Sequence, residues 1–480
     1  MQKQAASIER KIVKSHQKPI KQLRRGFICN ALSGVFKSHS EHPEFHEEKL
    51  KELCQRIRVQ QCEVHLKAKE FSTAFVSFKS RFGATLASET QQHAHPLLWI
   101  TESAPEPKEV IWKNVTIPYH NLAIKKIAVF VAASILTIFF ALPVTAIQGI
   151  VQFEKLQKWF PPVRVAQLIP GLTSILTGYL PSAILNFFIY VVPNAMLALA
   201  SLEGCISKSK QEIKTCNMVF YFLMGNVFYL SLLSGSLLDQ IGESFTHPGD
   251  FPSHLASAVS AQSGFFITYI LTDGLSGFSL ELLQLGLILW HFIRSPFDGG
   301  TIKDHYLFGF PYYRVIPTVS LAILIGMVYA VIAPLLLPFI IIYFLVGYAV
   351  YVNQMQDVYK IIYDTHGQYW PYIHHYIIIT IVLMQLTMIG LFGLKSKPGA
   401  SVSTVALVLL TVLFNEYCKI RFLPSFQHRP IQIAKEMDDQ ELEGQIEGNQ
   451  AASVINAYRA PWMRPVAFQA SSSIEPLVSA

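Results

Sequence analysis

The chain is predicted to be an all-α polytopic membrane protein of about eight spans, preceded by a small cytosolic segment of α+β type. Three observations predict it. Only 15% of the 480 residues are charged, where soluble domains carry about a quarter, and 51% are hydrophobic. The mean hydropathy is +0.34. Apolar runs of about the length needed to cross 30 Å of hydrocarbon recur along most of the chain after residue 120.

Met1–Arg25 is polar and basic and has no apolar core of a secretory signal, so the chain is expected to start in the cytosol. Pro43–Lys67 places Leu50, Leu53, Cys54 and Ile57 at helical spacing between charges and reads as an amphipathic helix. Ser72–Phe78 alternates like a strand, and Arg81–Gln92 reads as a helix. Together these form the closing part of a small α+β domain within residues 1–120. Its AFVSF run overlaps an RNA-recognition strand, but Thr73 fills a stacking position and no second such strand precedes it. No nucleic-acid partner is expected. Trp99, Trp112 and Tyr119 then suit the headgroup layer.

Spans are expected at 122–151, 176–201, 217–240, 258–293, 316–333, 335–352, 372–394 and 401–418, within a channel domain of residues 121–425. The run Thr318–Tyr351 reads either as one kinked span or as a hairpin turning near Pro334 and Pro338. Charge decides for the hairpin. With two spans the cytosolic side holds Lys208, Lys210, Lys214, Arg294, Lys303, Arg314, Lys360, Lys419, Arg421, Arg429 and Lys435, against Lys155, Lys158, Arg164, Lys395 and Lys397 outside. Both termini are then cytosolic, and the net charge of +7 points to the inner leaflet. The loop Gly242–His254, with Glu243 and Asp250, faces out. Residues 426–480, which include the acidic run Glu436–Glu447, are expected to form a cytosolic tail without regular structure. The six cysteines, Cys29, Cys54, Cys62, Cys205, Cys216 and Cys418, lack metal spacing and are expected to be reduced thiols.

The fourth span, Ala258–Ile293, carries two carboxylates, Asp273 and Glu281. An acid in hydrocarbon costs a few kcal/mol, so such groups face a bundle interior or a water-filled path. Gln262, Asp273 and Gln284 repeat every 11 residues, which on an α-helix leaves neighbours within roughly 20° and makes one polar stripe. Glu281 lies about 80° off that line, and a bend at Gly274 and Gly277 would re-aim it. Gln148, Asn186, Asn194 and Asn226 add amides to the first three spans; each lines a path or bonds a neighbouring helix. The reading is an ion path, with the acids as structural ties the alternative.

Phosphate-binding, dinucleotide, zinc-protease and nucleophile-elbow motifs are all missing, so no enzyme and no metal or cofactor is expected. His374 and His375 open a span beside Trp370 and read as interfacial residues.

Five stretches then carry a resemblance: AFVSFKSRFGA (74–84), APEPKEVIWKNVTIP (104–118), FFITYILTDGLSGFSLELLQ (265–284), IGMVYAVIAPLLLPFIIIYFLVGYAVY (325–351) and FNEYCKIRFLP (414–424). From about Phe75 to Pro424 the chain resembles the OSCA family of hyperosmolality-gated, calcium-permeable cation channels, also called CSC-like stress-gated channels. FPYYRVIP (310–317) and GQYWPYIHHY (367–376) point to the plant branch. The resemblance implies an anoctamin-like helical bundle, a homodimer with one pore in each subunit, calcium as permeant ion, and opening by membrane tension or hyperosmotic stress at the plasma membrane. It implies a pore built from spans one to five, with the acids of its gating helix at Asp273 and Glu281 and the break of that helix at Gly274 and Gly277. Many members carry a lysine where this chain has Asn186, so no role of that cation carries over. Members usually have three further membrane helices and the start of a cytosolic RNA-recognition-like domain before the residues seen here, so residues 1–120 are expected to hold the closing part of that domain, and a shortened product or an incomplete gene model is expected. Alternative functions are a phospholipid scramblase, for which membrane lipids are the partner, and a non-conducting subunit that modulates a full-length relative.

Overall fold

The computed structural model describes residues 73–95, 98–151, 180–232, 251–284, 309–443 and 457–460, with isolated positions at 51–53, 55, 56, 59 and 288. The chain divides into two units, Met1–Ser77 with Asn449–Ala480, and Phe78–Gly448. Within the first, the rings of Phe75 and Tyr458 lie 5.2 Å apart. The expected helix over Pro43–Lys67 falls outside the described residues except at the isolated positions, which are helical. Residues 73–78, expected as a strand, take no regular secondary structure, and among the described residues no strand ladder forms. A strand needs a continuous ladder for its backbone groups, and among the described residues none is formed there.

The second unit holds the long helices and, before them, two short ones, α1 (Arg81–Glu89) and a single turn at Trp112–Val115. The first, α1, starts at Ser80, whose hydroxyl accepts the Gly83 N–H at 3.0 Å. The approach to the membrane is tied to a later turn. Val110 forms an antiparallel bridge with Ser207, and the buried Glu109 carboxylate accepts both the Ser207 and Ser209 hydroxyls at 2.9 and 2.7 Å.

The helices α2 (Tyr119–Val151), α3 (Leu180–Glu203), α4 (Lys208–Leu223), α5 (Phe251–Ala261) and α6 (Ser263–Thr272) come next along the chain. After a π-helical turn at Asp273–Gly277 come α7 (Phe278–Leu283), α8 (Tyr312–Ile332), α9 (Leu336–Asp357), α10 (Trp370–Leu394) and α11 (Pro398–Gln427). A helix satisfies its own backbone, one of the two ways to cross a bilayer. Among the described residues six helices are long and apolar enough to do so, and seven if the bent pair α5 and α6–α7 is one span. The protein is therefore a multi-pass helical membrane protein. Of the eight expected spans, the second lies on α3, which is not among these six or seven, and the others lie on helices that are; parts of the second, third and fourth fall outside the described residues. The Thr318–Tyr351 run is two helices, α8 and α9, that turn at 333–335 around Pro334 and pack together.

The core is aromatic and aliphatic. Phe228 of the π-turn after α4, Phe266 and Tyr269 of α6, and Leu324, Ile325 and Tyr329 of α8 are at most 1% exposed. A Cβ at Gly347 would lie 2.7 Å from the Phe278 ring, so α9 approaches α7 closely because this residue has no side chain. By contrast α11 buries only Asn415 and leaves Val402, Leu413 and Ile420 outward.

The segment after residue 425 differs from the expectation. Ile431–Leu442 is a helix, α12, and it packs on α1. An acidic run alone repels itself, but here Arg81 pairs with Asp438 and Glu441, and His428 meets Glu89 at 2.5 Å. Partners from α1 give the run a reason to order. The loop Gly242–His254 is described only from 251, where α5 begins, and Cys29, Cys54 and Cys62 lie outside the described residues. Cys205, Cys216 and Cys418 are free thiols.

Candidate functional site

The helix expected to carry one polar stripe is not straight. It bends by 55° between α5 and α6, where Gln262 leaves the helical region at φ −96°, ψ 10°. It widens into a π-turn at Asp273–Gly277 and ends at Gln284, which is left-handed at φ 47°, ψ 45°. Each extra residue accommodated in a wide turn rotates the remainder of the helix by about 100°, so an 11-residue repeat no longer marks one face. Gln262, Asp273 and Gln284 consequently do not form a continuous stripe.

The two acids turn to neighbouring helices instead. Asp273 accepts a hydrogen bond from the Tyr343 hydroxyl of α9 at 3.0 Å. Gly274 and Gly277, expected as the hinge, lie inside the π-turn. A Cβ at Gly277 would sit 3.2 Å from Asp273 Oδ1, and one at Gly274 would sit 3.2 Å from the Tyr343 ring. Both glycines therefore make room for the acid and its partner.

Glu281 is 6% exposed. Its Oε2 pairs with Arg314 Nη2 of α8 at 2.7 Å, and its Oε1 accepts from the Tyr359 hydroxyl. Gln284 Nε2 donates to the Glu281 carbonyl at 2.8 Å and to Tyr359 Oη at 3.2 Å, and Gln354 Nε2 of α9 reaches the same carbonyl at 3.3 Å. The Arg314 guanidinium also stands over the Tyr190 ring of α3, 4.8 Å from its centroid. Glu281 and Gln284 are thus brought together, and Asp273 lies apart with its own partner.

The amides divide. Asn194 is exposed and accepts from the Tyr313 hydroxyl at 3.0 Å, one residue from Arg314. Asn226 is buried in a second π-turn, Met224–Tyr229, and donates to the Phe222 carbonyl. Gln148 and Asn186 sit on α2 and α3, with side chains outside the described part. Sequence reading missed Arg314, Tyr343, Gln354 and Tyr359 as partners of the acids. One signal was available: Tyr343 and Gln354 are also 11 residues apart, on one face of an uninterrupted α9. A lone arginine opening an apolar helix was the other.

Residues 125–392, which contain this whole cluster, match the family model described as "Calcium-dependent channel, 7TM region". The chain belongs to this family of calcium-dependent channels. Residues 1–114 match a second model, the cytosolic domain of a 10TM family proposed to transport phosphate. Among relatives of this channel family, the chain is 62% identical over 417 residues to "Hyperosmolality-gated Ca2+ permeable channel 2.5" of Arabidopsis thaliana, covering 86% of this chain and 59% of that protein. Channel 2.1 of the same plant is 42% identical over 79% of this chain and 51% of its own length. Channel 1.8 is 32% identical over 98% of this chain and 60% of its own. The chain thus spans between about half and three-fifths of these channel relatives.

Proposed function

We propose that this chain forms the ion-conducting membrane part of a calcium-permeable cation channel, opened when tension or hyperosmotic stress favours a wider state. The observation that carries the reading is a broken membrane helix with two carboxylates, Asp273 and Glu281, inside the segment shared with relatives named as hyperosmolality-gated calcium-permeable channels. This arrangement, with each acid held by a neighbouring helix, is read as the shut state. Tension selects whichever state occupies more membrane area, so a movement at the π-turn that carries α7 away from α8 and α9 would couple area to opening. Freed carboxylates would then attract cations. An anoctamin-like bundle, a homodimer and a plasma-membrane location with cytosolic termini belong to the same proposal, supported by the resemblance and by the charge asymmetry of the loops.

The test is stretch recording from patches of liposomes that contain the full chain, beside a dithionite assay on fluorescent lipids. A tension-dependent cation current that calcium can carry supports the reading. Lipid exchange without current would replace it with scrambling. Current that appears only on co-expression with a full-length relative would make the chain a modulatory subunit.

A further inference from the structure

Arg314 is the only charged residue of α8, Tyr312–Ile332. Its side chain is 16% exposed and that of Glu281 7%, so the pair is largely removed from water. The guanidinium joins three elements: the carboxylate of α7 at 2.7 Å, the Tyr190 ring of α3 at 4.8 Å, and α8 itself. The neighbouring Gln284 occupies the left-handed region at φ 47°, a costly conformation for a residue with a side chain. Its amide donates to Glu281 and to Tyr359, so the end of α7 is held by ties to its surroundings.

We infer that Arg314 is a positioning residue that latches the cytosolic end of α7 by pairing with Glu281, and so sets the tension at which the path opens. This rests on the proposed channel function. The effect is differential. An intact buried ion pair contributes little net stability, but one that loses a partner leaves a strongly destabilised charge. Without Arg314 the Glu281 carboxylate is unpaired only while it is buried, so the loss raises the free energy of the shut arrangement and spares one in which Glu281 meets water. The same residue therefore conceals the acid and resists its release.

Recording from the full chain in liposome patches, with hydrogen exchange of the Phe278–Leu283 turn in the same liposomes, tests the latch. Arg314→Gln is expected to raise open probability at a fixed sub-threshold tension about tenfold and to speed exchange of that turn. Arg314→Lys, which keeps a cation beside Glu281, is expected to stay closer to wild type than Arg314→Gln in both readouts. If Arg314→Gln leaves threshold and exchange unchanged, the inference is overturned. A lysine variant that departs as far as the glutamine one also overturns it, because the charge is then not what holds α7. A wild-type chain without stretch current defeats the channel reading and the threshold role with it, whereas wild-type current with no shift in Arg314→Gln defeats the latch alone.

Discussion

The carboxylate of Asp438 accepts the backbone N–H of Arg81 at 3.0 Å and that of Phe82 at 2.9 Å, so a residue beyond the last membrane helix caps the first helix of the second unit. The first N–H groups of a helix have no partner within it, and an anion there also meets the positive end of the helix dipole. Replacing Asp438 by Ala should therefore loosen α1 and α12 together. Hydrogen exchange of Arg81–Glu89 and of Ile431–Leu442 is expected to rise several-fold in step. Exchange that rises in one helix alone would mean that the two do not depend on this contact.

Asp273 and Glu281 are the acids assigned to the cation path. Asp273→Asn and Glu281→Gln are each expected to lower unit conductance or calcium preference about twofold or more in stretched patches. Current and selectivity equal to wild type in both variants would remove these carboxylates from the path.

Tyr343 supplies the hydrogen bond that Asp273 receives from α9. Tyr343→Phe keeps the ring, removes the donor and leaves the acid without it, which is expected to cost roughly 1–3 kcal/mol. Thermal unfolding in detergent reads the loss. An unchanged midpoint would show that water already serves Asp273.

Gly347 faces Phe278 at a distance that leaves no room for a methyl group. Gly347→Ala is expected to destabilise the α7–α9 contact by about 1–3 kcal/mol through overpacking. Trimming the obstacle with Phe278→Leu in the same chain should recover part of that loss. A double variant no more stable than the single one would place the strain elsewhere.

Cys205 lies in the connection between α3 and α4, outside the membrane helices. Burial pushes its thiol above the ordinary cysteine value, and the Glu203 carboxylate nearby adds to this. The thiolate is the reactive form, so at neutral pH alkylation of Cys205 should run well behind that of a free cysteine, and it should go on accelerating with pH after a free cysteine has levelled off. Mass spectrometry of a timed iodoacetamide reaction measures it. Labelling as fast as free cysteine at pH 7 would contradict the burial.

The sequence by itself determined that the chain is a bundle of membrane helices, roughly where most of the long helices run, that Thr318–Tyr351 is two helices rather than one, and which family the chain joins. These properties come from hydropathy summed along the chain, from the prolines near the turn at Pro334 and from the charges of the connections, which are local. It also located the two acids and the two glycines of the π-turn. Only the tertiary structure decided whom the acids meet. Arg314 lies 33 residues beyond Glu281, and Tyr343 lies 70 beyond Asp273. Such pairs depend on how helices cross and on how far each has rotated. A π-turn within α6–α7 and a bend at Gln262 change that rotation by amounts that a straight-helix repeat does not contain. The same reason applies to the acidic run after residue 430, whose order comes from Arg81 and the open N-terminus of α1 more than 350 residues earlier in the chain.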